Sequence, residues 1–135
     1  MPVQQLLKIN GGGAASTQTS PVQTVTSPAG GGPIVLTVVF DLTQLTGTSV
    51  ILSVQGVDSV SGKTFQLGST AVYTALSAAG TQVYQFGAGI ITGDTGGAGN
   101  GVTKGVGIGV PSQIQVVVTP TAVTTAVYTV SAHWN

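Results

Sequence analysis

Seven side chains in this 135-residue sequence carry charge or an imidazole: Lys8, Lys63, Lys104, Asp41, Asp58, Asp94 and His133. There is no cysteine, so thiolate catalysis and cysteine-based metal sites are excluded and nothing about the redox compartment follows. One histidine with three scattered aspartates falls short of a zinc ligand set. A Ser–His–Asp arrangement could draw on Asp41, Asp58 or Asp94, but no Gly-x-Ser-x-Gly elbow is present to hold the serine. Gly62-Lys63-Thr64 has the end of a phosphate loop. The motif needs a glycine at the position of Val57 and a helix to follow, and Phe65-Gln66-Leu67 reads as strand instead. The better reading is a hairpin turn in which Asp58 forms an Asx-turn, Gly62 takes positive φ and Asp58 pairs with Lys63. Asp94-Thr95-Gly96 matches the aspartic-protease triplet, whose chemistry needs two carboxylates sharing a proton. Here glycines flank it and no apolar strand buttresses it, so Asp94 reads as a turn residue. Asp94 with Asn100 is too poor in carboxylates for calcium. Tyr73 and Tyr84 could stack on a sugar, although isolated aromatics in an aromatic-poor chain more often pack in a core or interface. The expectation is a non-enzymatic protein with no cofactor.

The elements that must position these residues follow from composition. Charged residues make up 4% of the chain and the formal net charge is zero, against roughly 25% charged in an ordinary soluble domain. Charge keeps copies of a soluble protein apart, so a chain this neutral is expected to work with its surface against other protein. Three lysines without arginine give no basic patch for nucleic acid, and no apolar run has the length of a membrane helix. Valine, threonine and glycine dominate, which favours pleated strands and turns.

Apolar residues alternate with polar ones at Ile34, Leu36, Val38, Phe40 and Leu42, at Val50, Leu52 and Val54, and at Phe65 and Leu67. The pattern returns at Val83 to Phe86, at Ile114, Val116 and Val118, and from Ala126 through Tyr128, Val130 and Ala132 to Trp134. Period-two runs with turn signals between them predict an all-β fold, an antiparallel two-sheet β-sandwich of Ig-like or jelly-roll-like type. A barrel is the alternative closure. Residues 34–135 form that body. Residues 1–33, with glycine-rich stretches and a short apolar piece, read as an extended N-terminal arm. Between residues 87 and 112 the alternation collapses into a long glycine-rich loop, read either as a contact loop or as a locally packed excursion. Candidate partner contacts are Leu6, Leu7, Ile9, Val22 and Val25 in the arm and Ile90, Ile91, Val102, Val106 and Ile108 in the loop.

Four stretches in order carry a family likeness. Ser49-Val50-Ile51-Leu52-Ser53-Val54-Gln55-Gly56-Val57-Asp58 runs into Val60-Ser61-Gly62-Lys63. Ala79-Gly80-Thr81-Gln82-Val83-Tyr84 leads to Gly87-Ala88-Gly89-Ile90. Pro111-Ser112-Gln113-Ile114-Gln115-Val116-Val117-Val118-Thr119 follows, and Val127-Tyr128-Thr129-Val130-Ser131-Ala132 closes the series. Over roughly residues 45–132 the chain resembles small all-β structural proteins of tailed-bacteriophage virions. It departs from them in having neither Arg nor Trp around Pro111 to Val116, and in its arm and glycine loop. The resemblance implies a capsid decoration (cement) protein on the outer head surface, commonly trimeric, with the major capsid protein and neighbouring copies of itself as partners. The alternatives are a tail, neck or fibre component of the virion, or a glycan-binding β-sandwich module using Tyr73, Tyr84 and the 87–112 loop.

Overall fold

A computed structural model describes residues 3–9, 16–26, 34–98 and 101–135, with side chains at all of these but 3, 4, 7–9, 95–98, 101 and 102. The described residues are all-β apart from one 3-10 turn, Thr70–Val72. The strands are β1 (Val3–Ile9), β2 (Gln18–Thr19), β3 (Gln23–Thr24), β4 (Leu36–Val57), β5 (Thr64–Gln66), β6 (Gly80–Phe86), β7 (Gly93–Ala98), β8 (Gly101–Val106) and β9 (Gln113–Trp134).

The fold is organised by β4 and β9, each 22 residues long, which pair antiparallel from Leu36↔Trp134 to Gly56↔Ile114. Sequence alternation places two strands in each of these stretches; both are single strands that pass through a polar, threonine-rich middle. Two opposed register shifts mark that middle. Thr43 is the extra residue on β4 and Thr124 the extra residue on β9, so the shifts cancel. Even-numbered residues of both strands therefore face the core on either side, Leu42 and Val50 on one, Val118 and Ala126 on the other. A bulge removes a ladder bond and sharpens twist. Here each bulged threonine offsets the loss: Thr43 Oγ1 donates to Val127 O at 3.1 Å and Thr124 Oγ1 to Thr46 O at 3.2 Å. Gly47 sits at φ +143°, where a Cβ would lie 2.5 Å from Val123 Cα, and Ala122 opposite takes φ +49°. Only glycine fits that crossing.

Each half of the ribbon gathers its own flanking strands. The half holding residues 36–42 and 128–134 carries β1 on β9, then β6, β8 and β7 beyond β4, in the order β1-β9-β4-β6-β8-β7. The other half carries β2 and β3 on β9 and β5 on β4. Hydrogen bonding thus runs through one continuous nine-stranded sheet. The expected purely antiparallel pairing is corrected at one place: β6 and β8 are parallel, Val83↔Thr103 through Phe86↔Val106. A single apolar cluster draws on both halves, Leu36, Val38, Phe40 and Leu42 with Val50, Leu52, Val54 and Ile114 among its members.

The expected arm and loop both change form. The described parts of residues 1–33 lie along β9 of the same chain, with Leu6 and Val25 in the core. Pro21 interrupts this edge between β2 and β3, and a proline cannot extend a ladder. Ser20 bridges the gap: its amide donates to Val116 O and its hydroxyl accepts from Val116 N, both at 2.9 Å. Residues 87–112, expected as a loop, contain β7 and β8. The connection into β7 passes so close over β8 that a Cβ on Gly105 would lie 2.5 Å from Ile91 O and 2.8 Å from Ile90 Cγ2. The glycines here permit a close crossing.

Candidate functional site

The charged residues that chemistry would need are dispersed by the fold, with one exception. Asp58 is consumed by its turn. Its carboxylate accepts from the amides of Val60 (3.2 Å) and Ser61 (3.4 Å) and from Ser61 Oγ at 2.7 Å. The Ser61 hydroxyl, then the Val60 amide, hold its pKa below the usual carboxylate value. Gly62 takes φ +74°, and the Asp58 amide reaches Lys63 O at 2.8 Å. This is the hairpin expected from the sequence. Asp41 accepts from Thr81 Oγ1 at 3.2 Å. His133 stands on the outward side of β9 with Nε2 3.4 Å from Ser131 Oγ. Asp41, Asp58 and Asp94 sit on β4, at the β4–β5 turn and on β7. Among the described residues no group of three His, Cys, Asp or Glu side chains is placed to hold a metal ion.

The exception is built by strand register. Along one row across the wide half of the sheet, Ala132 opposes Val38, Val38 opposes Tyr84, Tyr84 opposes Lys104 and Lys104 opposes Asp94. Residues directly opposite share a face, so the row runs from the apolar core out to a cation and an anion. Asp94, expected to serve a turn, is a strand residue on β7. Lys104 Nζ donates to Thr74 Oγ1 at 2.7 Å and lies 3.6 Å from Asp94 Oδ1. Its side chain is only 14% exposed, whereas that of Asp94 is 69% exposed. This ion pair, and not the expected Asp58–Lys63 pair, is the one formed among the described residues. The pair borders a cleft of about 190 Å³ lined also by Ser69, Ala71, Val72, Thr92, Gly93 and Gly105.

Behind the cleft lies a buried polar network that fixes Thr74. Gln82, 1% exposed, donates Nε2 to Thr74 O at 2.7 Å and accepts from Tyr84 OH at 3.1 Å. The Thr74 amide donates to Tyr84 OH at 3.4 Å. Tyr73 shares its hydroxyl proton between Leu67 O (2.5 Å) and Val54 O (3.1 Å), and its ring lies 5.3 Å from that of Tyr84. Burial pushes both phenols above their ordinary pKa, and the nearby Asp94 charge adds a smaller upward push on Tyr84. Both rings are buried. Neither is available as a stacking platform, which corrects the glycan reading built on them.

The ten candidate contacts separate by exposure. Leu6, Val25 and Val106 are buried in the core of their own chain, Ile90 and Ile108 are half-buried, and Val22 (49%) and Ile91 (85%) are exposed. The side chains of Leu7, Ile9 and Val102 lie outside the described residues. Sequence reasoning missed Val60, 93% exposed at the tip of the β4–β5 turn, and Phe65, 47% exposed on β5. An apolar β-branched residue inside the polar turn Asp58–Lys63 was the available signal for Val60.

No family model matches the sequence, and no curated protein matches it. A solved structure described as "Structure of PfGH50B" superposes with a TM-score of 0.46 at 12% identity, covering 99% of this chain and 22% of that one. The chain thus spans about a fifth of that structure's length, and a likeness this slight carries no argument about fold or function. No helix among the described residues is long and apolar enough to cross a membrane.

Proposed function

We propose that this chain is a non-enzymatic structural protein that works by packing against other protein, as a capsid-decorating virion component of the kind the sequence resemblance implies. Its place is the outer head shell, and its partners are the major capsid protein and further copies of itself. The observation that carries this reading is the outward face of the wide half-sheet. Thr37, Val39, Thr81, Val83, Gln85, Val127, Thr129 and Ser131 lie on it, and on β4, β6 and β9 Asp41 and His133 are its charged or titratable residues. Depletion of charge together with half-buried β-branched residues suits a protein–protein contact better than open solvent. Exposed Val22, Val60 and Ile91 add apolar points at the ends of the strands. The edges β1 and β7 offer backbone groups to which a neighbour's strand could add.

The two halves of the sheet are proposed as the layers of a sandwich. Two contacts support this: Trp134 Nε1, from the last residue of β9, donates to Thr26 Oγ1 at 3.3 Å beyond β3, and the Tyr73–Tyr84 ring pair joins the loop bonded to Val54 with strand β6. The test is stoichiometry. In purified particles of the virus that encodes it, the chain is expected in fixed proportion to the major capsid protein and cross-linked to it. Particles lacking the chain, or cross-links confined to tail proteins, overturn the head-shell assignment.

A further inference from the structure

We propose that the cleft between β7, β8 and the 3-10 turn binds one ring of a neutral saccharide, through a vicinal diol that spans Lys104 and Asp94. This reading does not rest on the proposed packing role, and the fate of either leaves the other standing. It starts from scarcity. The sequence has three lysines and three aspartates, and strand register sets one of each face to face beside a concavity.

The geometry selects the ligand's charge. An ammonium and a carboxylate in direct hydrogen bond lie about 2.7–2.9 Å apart; here the separation is 3.6 Å, so neither group is saturated by the other. Lys104 has three N–H donors. One is used on Thr74 Oγ1, which leaves two for Asp94, 3.6 Å away, and for a ligand in the cleft that Lys104 lines. Asp94, at the rim, keeps acceptor capacity on both oxygens. An anion would meet the Asp94 charge, and a cation would meet Lys104. A neutral molecule with adjacent hydroxyls satisfies both: one oxygen accepts from Nζ while its neighbour donates to the carboxylate.

The lining selects shape. Ala71, Val72, Gly93 and Gly105 present carbon surface to the C–H face of a ring, and Ser69 and Thr92 supply further hydroxyls. Thr92 Oγ1 already accepts from the Gly107 amide at 2.8 Å, which leaves its own proton for donation to a ligand. A cleft of about 190 Å³ is below the roughly 300–1,000 Å³ of drug-sized pockets. It suits a single ring and weak binding, with Kd on the order of 1 mM.

The experiment is an amide-resolved NMR titration of the intact chain with methyl glucoside, methyl galactoside and methyl mannoside, with sodium acetate as the anionic control and methylammonium chloride as the cationic one. The expected result is saturable shifts at Ser69, Ala71, Val72, Asp94, Lys104 and Gly105 with at least one glycoside, and none with acetate or methylammonium. D94N, at an exposed position, is expected to keep the spectrum of the core and weaken binding at least about tenfold, the loss of one charge-assisted contact. K104M should do the same. No saturable shift with any of the three glycosides overturns the proposal, as does stronger binding of acetate or methylammonium. Unchanged affinity in a folded D94N chain also overturns it.

Discussion

The same chemical change at two buried tyrosines should move stability in opposite directions. Tyr128 is 2% exposed, and its hydroxyl has no hydrogen-bond partner among the described residues. Its ring meets Phe40 edge-on, centroids 5.5 Å apart at 78°, a contact worth about 0.5–1.5 kcal/mol that a phenylalanine would retain. A buried polar group left unsatisfied costs about 1–3 kcal/mol, so Tyr128→Phe removes a penalty and leaves the packing in place. The expected gain is about 1–2 kcal/mol. Tyr73 is also buried, but its hydroxyl proton is held by Leu67 O and Val54 O. Tyr73→Phe takes the hydroxyl donor from Leu67 O in a site closed to water, while Val54 O keeps the Leu67 amide at 2.9 Å. A loss of about 1–3 kcal/mol is expected. Urea unfolding of the two variants and the parent reads both values from the transition midpoint, provided the slope is unchanged. Stabilisation by Tyr73→Phe, or destabilisation beyond about 1 kcal/mol by Tyr128→Phe, would refute the accounting of satisfied and unsatisfied hydroxyls.

Two further outcomes follow from the same core. All three tyrosines of the chain are buried with raised pKa, Tyr128 pushed up to about 12 from an ordinary 10 by burial alone. A phenol whose folded pKa exceeds its unfolded value contributes stability that is complete below pH ~10 and lost as the pH rises through the folded value. Tyr128 accounts for about 3 kcal/mol of that loss at two pKa units. Near-ultraviolet phenolate absorbance should therefore stay low at pH ~10 and rise cooperatively with unfolding above it; half-ionisation of a folded chain at pH ~10 would contradict this. At the ribbon's crossing, Gly47→Ala combines a φ of +143° with a Cβ pressed on Val123 Cα, a cost of about 1–3 kcal/mol for the backbone alone. The expected result is a lower unfolding midpoint; an unchanged midpoint would mean that the crossing relaxes freely.

How far the fold could be read in advance depended on the range of the interaction involved. Faces were legible. The alternation at Leu36 to Leu42, Val50 to Val54, Ile114 to Val118 and Ala126 to Trp134 gave the core side correctly, and the chain buries those residues. The Asp58–Lys63 turn was legible too, because an Asx-turn and a positive-φ glycine are set by residues within five positions. Continuity was not. The stretches 43–49 and 119–125 lose their apolar alternation because threonines dominate them and Leu45 and Val123 stand alone, only partly buried against the core, so each long strand reads as two. The backbone ladder runs on through them, and each bulged threonine adds a hydroxyl donated across it; nothing in a threonine's local sequence announces either. Glycine misled in a similar way. Gly105 and Gly107 look like loop residues, yet each lies in or beside strand structure because residues 90–92 pass directly over them. The Lys104–Asp94 cleft depends on both kinds of hidden information. Those residues meet only because β7 and β8 pair in one register, and β8 reaches Tyr84 only by running parallel to β6. A one-residue slip of that register would turn Lys104 away from Asp94 and Thr74 toward the opposite face. The one charged pair formed among the described residues is thus placed by backbone pairing among residues whose side chains are mostly too small to pin it, and Thr74, held on its amide, its carbonyl and its hydroxyl, is the group that fixes where Lys104 ends.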